Sequence, residues 1–157
     1  MSENITGGLS DQDAAARTLV LEWEFHAPVE RVYDAWTKPE YLVQWWGPEG
    51  MTVPTYEMDV REGGKWQTTM VNAAGEAYTV QGKYVTLERP TRLVMTWAWL
   101  TEGVPGHETL VEVTLQQTEA GTRLRLVQKV FDTEEQKTSH HEGWTSSLHC
   151  LERFLSQ

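Results

Sequence analysis

The chain has 157 residues and a mass of 18.0 kDa, enough for one core but not two, since a chain of this length buries about 70% of the surface its unfolded form exposes. With 23 acidic against 13 basic side chains the formal charge is −10, which repels phosphate backbones and anionic lipid and argues against nucleic acid as a partner. The single cysteine, Cys150, excludes an intramolecular disulfide and suits a reducing compartment, so a cytoplasmic location is expected.

Residues 1–16 mix Glu3, Asp11 and Asp13 with Gly7, Gly8 and Ser10, without the basic start and apolar run of a signal peptide. A disordered tail is expected there, followed by one domain over residues 17–157. No stretch approaches the ~20 apolar residues of a membrane span, so membrane insertion is not expected.

Over residues 18–26, Leu19, Leu21, Trp23 and Phe25 alternate with Glu22, Glu24 and His26, the period of a half-buried strand. Pro28 presets φ for the first turn of a helix carrying Val29, Val32, Tyr33 and Trp36. Thr37 is placed to cap a second helix, with Pro39 in its first turn and Tyr41, Leu42, Trp45 and Trp46 on one face until Gly47-Pro48. Period two then returns and predicts strands over 51–60, 65–71, 78–87, 92–99, 108–117 and 122–131. Turns fall at 61–64, 72–75 and 119–121, a break at Arg89-Pro90, and a loop at 103–106.

Asp132 with Glu135 forms a capping-box-like start, and Trp144, Leu148, Leu151 and Leu155 make one stripe of a helix running almost to the C-terminus. Gly143 stands inside it at a cost of about 1 kcal/mol against alanine, which marks either close approach to the sheet or a late helix start. Consecutive hairpins require an antiparallel sheet, and seven strands with one closing helix require that sheet to curve. The fold class is therefore α+β.

The order of strand, two short helices, six-stranded meander and long helix resembles the helix-grip fold of START-type lipid-binding domains and the birch-pollen-allergen group. Five motifs narrow it: Phe25-His26-Ala27-Pro28-Val29-Glu30-Arg31-Val32, Trp36-Thr37-Lys38-Pro39-Glu40, Trp45-Trp46-Gly47-Pro48, Asp59-Val60-Arg61-Glu62-Gly63-Gly64-Lys65-Trp66, and His141-Glu142-Gly143-Trp144 with Leu148 and Leu151. Together they resemble the activator of heat-shock protein 90 ATPase homologue-like family, within the START-like SRPBCC superfamily. That resemblance implies a helix-grip scaffold whose members bind diverse small apolar molecules, and it connects the chain by name to co-chaperones and the stress response.

His140, His141 and His149 lie near Cys150 and Glu142, but their spacing does not give the three- or four-residue step that a helical metal site uses. Solvated helix histidines are expected, and no metal or cofactor. No nucleophile elbow, phosphate loop or dinucleotide motif is present, and Cys150 has no activating neighbour in sequence. Glu22 and Glu24 alternate with Leu21 and Trp23, so they are expected to face solvent.

The aromatic supply remains, with eight tryptophans. Trp66, Thr68 and Met70 share one strand face, as do Leu93, Met95, Trp97 and Trp99, and Gln128 interrupts the stripe Leu124, Leu126, Val130. An inward Gln128 needs a hydrogen-bond partner, for which Tyr84, a buried water or a ligand oxygen would serve. The expected function is noncatalytic binding of a small hydrophobic or aromatic molecule between sheet and closing helix, by a monomer or homodimer. The expected lining is Trp66, Met70, Tyr84, Met95, Trp97, Gln128, Trp144 and Leu148. Two alternatives stand beside it. A co-chaperone-like module would use an exposed patch at Trp45 and Trp46, and a cyclase- or hydrolase-type enzyme on a bound aromatic substrate would need an acid, base or metal pointing into the pocket, where Tyr84, Gln128 and His141 are the nearest polar side chains.

Overall fold

In the computed structural model, which describes residues 15–157, the alternating segment forms strand β1 (Leu19–Phe25). The expected tail lies outside the described residues, apart from Ala15 and Ala16. Helix α1 (Val29–Thr37) follows Pro28 directly and buries Val29, Val32, Tyr33 and Trp36. Thr37 does not cap a second helix. It closes α1, its hydroxyl donating to the Tyr33 carbonyl at 2.9 Å, and Lys38 is extended, as steric conflict with the ring of Pro39 dictates. Helix α2 (Pro39–Leu42) is a single turn. Beyond it the chain coils inward, so Trp45 and Trp46 are only 2% and 4% exposed and form no surface patch.

The meander comprises β2 (Thr52–Met58), β3 (Lys65–Val71), β4 (Ala77–Glu88), β5 (Arg92–Thr101), β6 (Val104–Pro105), β7 (Thr109–Gln117) and β8 (Thr122–Lys129). All pairings are antiparallel, in the order β1-β8-β7-β5-β4-β3-β2, with β6 attached to the end of β5. The first and last strands are thus neighbours, and α1 and α2 carry the chain to the opposite edge of the sheet. β6 stands where a loop is expected. Glu102 (φ 51) and Gly103 (φ 81) make a two-residue turn of the left-handed kind that tight hairpins require, and it pairs Leu100 with Pro105.

Glu22 and Glu24 face outward, directly opposite Arg125 and Arg123. The pairs are exposed and contribute little to stability. The register shifts within β4 between Tyr84 and Thr86, and within β2 between Thr52 and Thr55, irregularities of the kind that bend a strand. At Gly82 a Cβ would lie 1.9 Å from the Thr96 carbonyl oxygen and 2.7 Å from Trp66 Nε1, so only glycine allows the sheet to fold over its tryptophan there.

β8 stops at Lys129, short of the predicted 131. Val130 turns the chain with φ 72 and is 51% exposed, so it does not extend the inward stripe; the next side chain, Phe131, is buried instead. Helix α3 (Glu134–Leu155) is capped by Thr133, one residue beyond the expected Asp132, with the Thr133 hydroxyl accepting from Gln136 N–H at 3.1 Å. Trp144, Leu148, Leu151 and Leu155 are buried and pack into the same core as Leu19, Val111, Leu124 and Leu126. The architecture is the α+β arrangement read from the sequence, with eight strands rather than seven.

Candidate functional site

The two halves of α3 treat the sheet differently. Leu148, Leu151 and Leu155 seal the second half against it. In the first half, the residues recurring at three and four along one face are Gln136, Ser139, His140, Gly143 and Ser147, which are small or polar and leave space. The result is a cleft of about 530 Å³ between this half of the helix, the Gly47-Pro48 corner, and Met70, Tyr78, Trp97 and Trp99 of β3 to β5. Trp46, Met51 and Trp144 complete its largely apolar walls. Gly143 belongs here: a Cβ on it would meet only Pro48 Cγ, at 3.9 Å, so neither sheet contact nor a helix start explains it. Gly47 (φ 90) turns the corner, and a Cβ there would come within 2.7 Å of Met70 Sδ.

A larger, more polar hollow of about 840 Å³ is lined by Gln67, Gln81 and Thr96, which alternate with the buried residues, and by Glu57, Asp59, Lys65, Lys83 and Glu108. An apolar molecule placed there would strip water from charges without pairing them. The aromatic cleft is the better candidate despite its smaller volume.

Its indoles are pinned from different elements. Trp46 Nε1 donates to Thr68 Oγ1 on β3 at 3.0 Å. Trp144 Nε1 donates to Gln128 Oε1 at 2.7 Å, and Gln128 Nε2 donates to Thr109 Oγ1 at 2.8 Å, a chain of bonds that ties α3 to β8 and β7. Trp99 Nε1 donates to His140 Nε2 at 2.8 Å. The rings also hold one another: Trp97 lies 5.2 Å from Trp144, 5.8 Å from Trp46 and 5.6 Å edge-to-face from Trp99. Trp36, Trp66 and Trp97 keep buried indole N–H groups that have no hydrogen-bond partner among the described residues. Each has a near-perpendicular ring neighbour, Trp46 for Trp36 and Trp66, and Trp99 for Trp97.

His140 is not a solvated helix histidine, although His141 and His149 are exposed. Because Nε2 accepts the Trp99 N–H, the ring proton sits on Nδ1, which donates to the Gln136 carbonyl at 2.8 Å. Burial lowers its pKa below the ordinary 6.5, and the Gln136 carbonyl opposes this in part. Among the described residues no group of three or more His, Cys, Asp or Glu side chains is arranged to hold a metal ion.

Of the eight expected lining residues, Met70, Trp97 and Trp144 meet in the cleft. Trp66 lies behind them, packed on Trp46 and Trp97. Met95 and Leu148 are part of the solid core. Gln128 is 0% exposed and orients Trp144 from behind; its partners are Thr109 and Trp144, not Tyr84. Tyr84 is also buried away from the cleft, and desolvation pushes its phenol well above the ordinary tyrosine range, with Tyr33 adding to the shift. The ionisable side chain that reaches the cleft from α3 is His140 rather than His141. Sequence reasoning missed Trp46 and Tyr78 as well. The available signal was the four-residue step Ser139, Gly143, Ser147, which removes bulk from one helix face.

A curved antiparallel sheet gripped by a long C-terminal helix, with an aromatic cleft between them, defines a START-like helix-grip domain. A family model described as "Activator of Hsp90 ATPase homolog 1-like protein" matches residues 26–156, and the chain belongs to that family. The crystal structure of the AHSA1 protein from Silicibacter pomeroyi is 34% identical, covers 88% of this chain and 97% of its own, and superposes with a TM-score of 0.81. A Nitrosomonas europaea protein is 29% identical over 91% of this chain and 96% of its own, with a TM-score of 0.78. A protein from Arthrobacter aurescens is 27% identical over 93% and 90%, with a TM-score of 0.80. No curated protein matches the chain. No helix among the described residues is long and apolar enough to cross a membrane.

Proposed function

We propose that residues 17–157 form a binding domain that takes up a small, uncharged aromatic or otherwise apolar molecule in the α3 cleft without transforming it. The observation that carries this reading is the cleft itself: about 530 Å³, within the usual range of small-molecule sites, walled by four tryptophans, a tyrosine and two methionines. Its tryptophan rings are held by hydrogen bonds and ring contacts, so little ordering is left to oppose binding. Catalysis is less well supported. His140 reaches the cleft, but both of its nitrogens are already engaged within the protein.

The family's name favours a second reading, a module that contacts heat-shock protein 90. Its sequence argument, an exposed Trp45 and Trp46, is removed by the burial of both rings. Co-purification of that chaperone in the presence of ATP would restore it.

The test of the first reading is a titration with N-phenyl-1-naphthylamine, an uncharged aromatic probe. A saturable rise in probe emission, with quenching of tryptophan fluorescence, is expected. No saturable change with this or other uncharged aromatic probes would overturn the reading.

A further inference from the structure

We propose that His140 makes occupancy of the cleft proton-dependent: neutral, it accepts the Trp99 indole N–H and holds that ring in the wall, and protonated, it becomes a second donor and releases it. The inference rests on the reading of the cleft as the binding site. It follows from a simple incompatibility. With Nδ1–H committed to the Gln136 carbonyl, Nε2 is the only acceptor the ring offers to Trp99. Adding a proton there sets two donors against each other at 2.8 Å. Trp99 is only half-buried, so it can turn outward to solvent.

Among the described residues the surroundings give an imidazolium no ion-pair partner, and the Gln136 carbonyl offsets its burial only in part. The ring packs on Phe131 at 5.0 Å, Trp99 at 6.0 Å and Trp97 at 6.2 Å between centroids. The packed segments of β5 present tryptophans. The 130–132 turn carries Asp132, and His107 bonds the Val130 carbonyl beside Phe131. On α3 itself Lys137 and His141 flank the site in sequence, and Tyr78 is the other ionisable side chain lining the cleft. None of these charged groups forms an ion pair with His140 among the described residues, and its proton affinity is governed by burial and the Gln136 carbonyl. An uncharged ligand therefore loses a wall and gains a neighbouring charge when the ring is protonated, so its affinity falls as pH falls below the His140 midpoint.

Two measurements on the full chain test this. Long-range nitrogen-proton NMR of the imidazole, without ligand, reads the tautomer; the Nδ1–H form is expected at neutral pH, with the Trp99 indole N–H shifting at the same midpoint, below 6.5. An Nε2–H tautomer, or a Trp99 resonance indifferent to that midpoint, would overturn the inference. Binding of N-phenyl-1-naphthylamine is then followed from about pH 7.5 to about pH 5. The dissociation constant is expected to rise below the midpoint, by up to about tenfold per pH unit for one linked proton. In His140→Gln, which offers an amide oxygen that does not titrate, the profile is expected to be flat whatever the affinity, and in Trp99→Phe, which has no N–H to lose but keeps the titrating imidazole, it is expected to be shallower than in the natural chain. A probe bound with the same constant across the range would overturn this inference alone. A probe bound at no pH would overturn the binding reading and this inference with it.

Discussion

Gln128 is the polar residue on which the sheet-helix seam turns, because both ends of its amide are spent on other buried groups, Thr109 and Trp144. Replacing it with Leu keeps the volume but strands the Trp144 indole N–H, while the Thr109 hydroxyl loses a donor and keeps its own bond to the Trp97 carbonyl at 3.4 Å. Gln128→Leu is therefore expected to cost about 1–3 kcal/mol, read as a lower urea midpoint. Tyr84 stores a different dependence. Its phenol is neutral in the folded chain well above the ordinary value of 10.0, so the stability it contributes is present below pH 10 and is lost as pH rises beyond that value. Tyr84→Phe is expected to flatten the alkaline fall in thermal stability. His140 acts in the opposite window: its depressed pKa contributes stability that is present above 6.5 and lost as pH falls below it.

Among the elements, α3 shows how one helix both closes a core and leaves a site open. Gly143 lies inside it with room for a methyl group, since a Cβ would touch only Pro48 at 3.9 Å. Gly143→Ala is expected to raise stability by about 1 kcal/mol through helix propensity, measured by chemical denaturation. Gly143→Leu is expected to fold but to fill the cleft and abolish saturable probe binding. The strands and this helix were legible because burial imposes period two or 3.6 on apolar residues, and Leu19 to Phe25 or Trp144 to Leu155 carry that period plainly. The ends were less so. Val130 is an apolar residue in strand register, and nothing in its side chain announces a φ of 72; Glu102-Gly103 lacks the Asn or Asp that usually marks a two-residue hairpin turn. The inward turn of Trp45 and Trp46 is not legible, because α2 stops after one turn and the helical spacing of their side chains conceals it. The cleft was half legible: Met70, Trp97 and Trp144 follow from strand and helix faces. His140 does not, because its burial depends on Trp99 and Phe131 arriving from other parts of the chain.

For the whole molecule, the joining of β1 to β8 and the sharp curvature at Gly82 leave one helix to cover a concave sheet. Tryptophans fill most of the space beneath it, and the remainder is the cleft at the helix's first half. Among the described residues no Asp, Glu, Lys or Arg lines the cleft. The most direct test of the central claim is to follow the indole N–H resonances of the eight tryptophans during titration with N-phenyl-1-naphthylamine. Saturable shifts confined to Trp46, Trp97, Trp99 and Trp144, with Trp23 and Trp45 unmoved, are the expected result. Shifts centred on Trp23, or none that saturate, would contradict it.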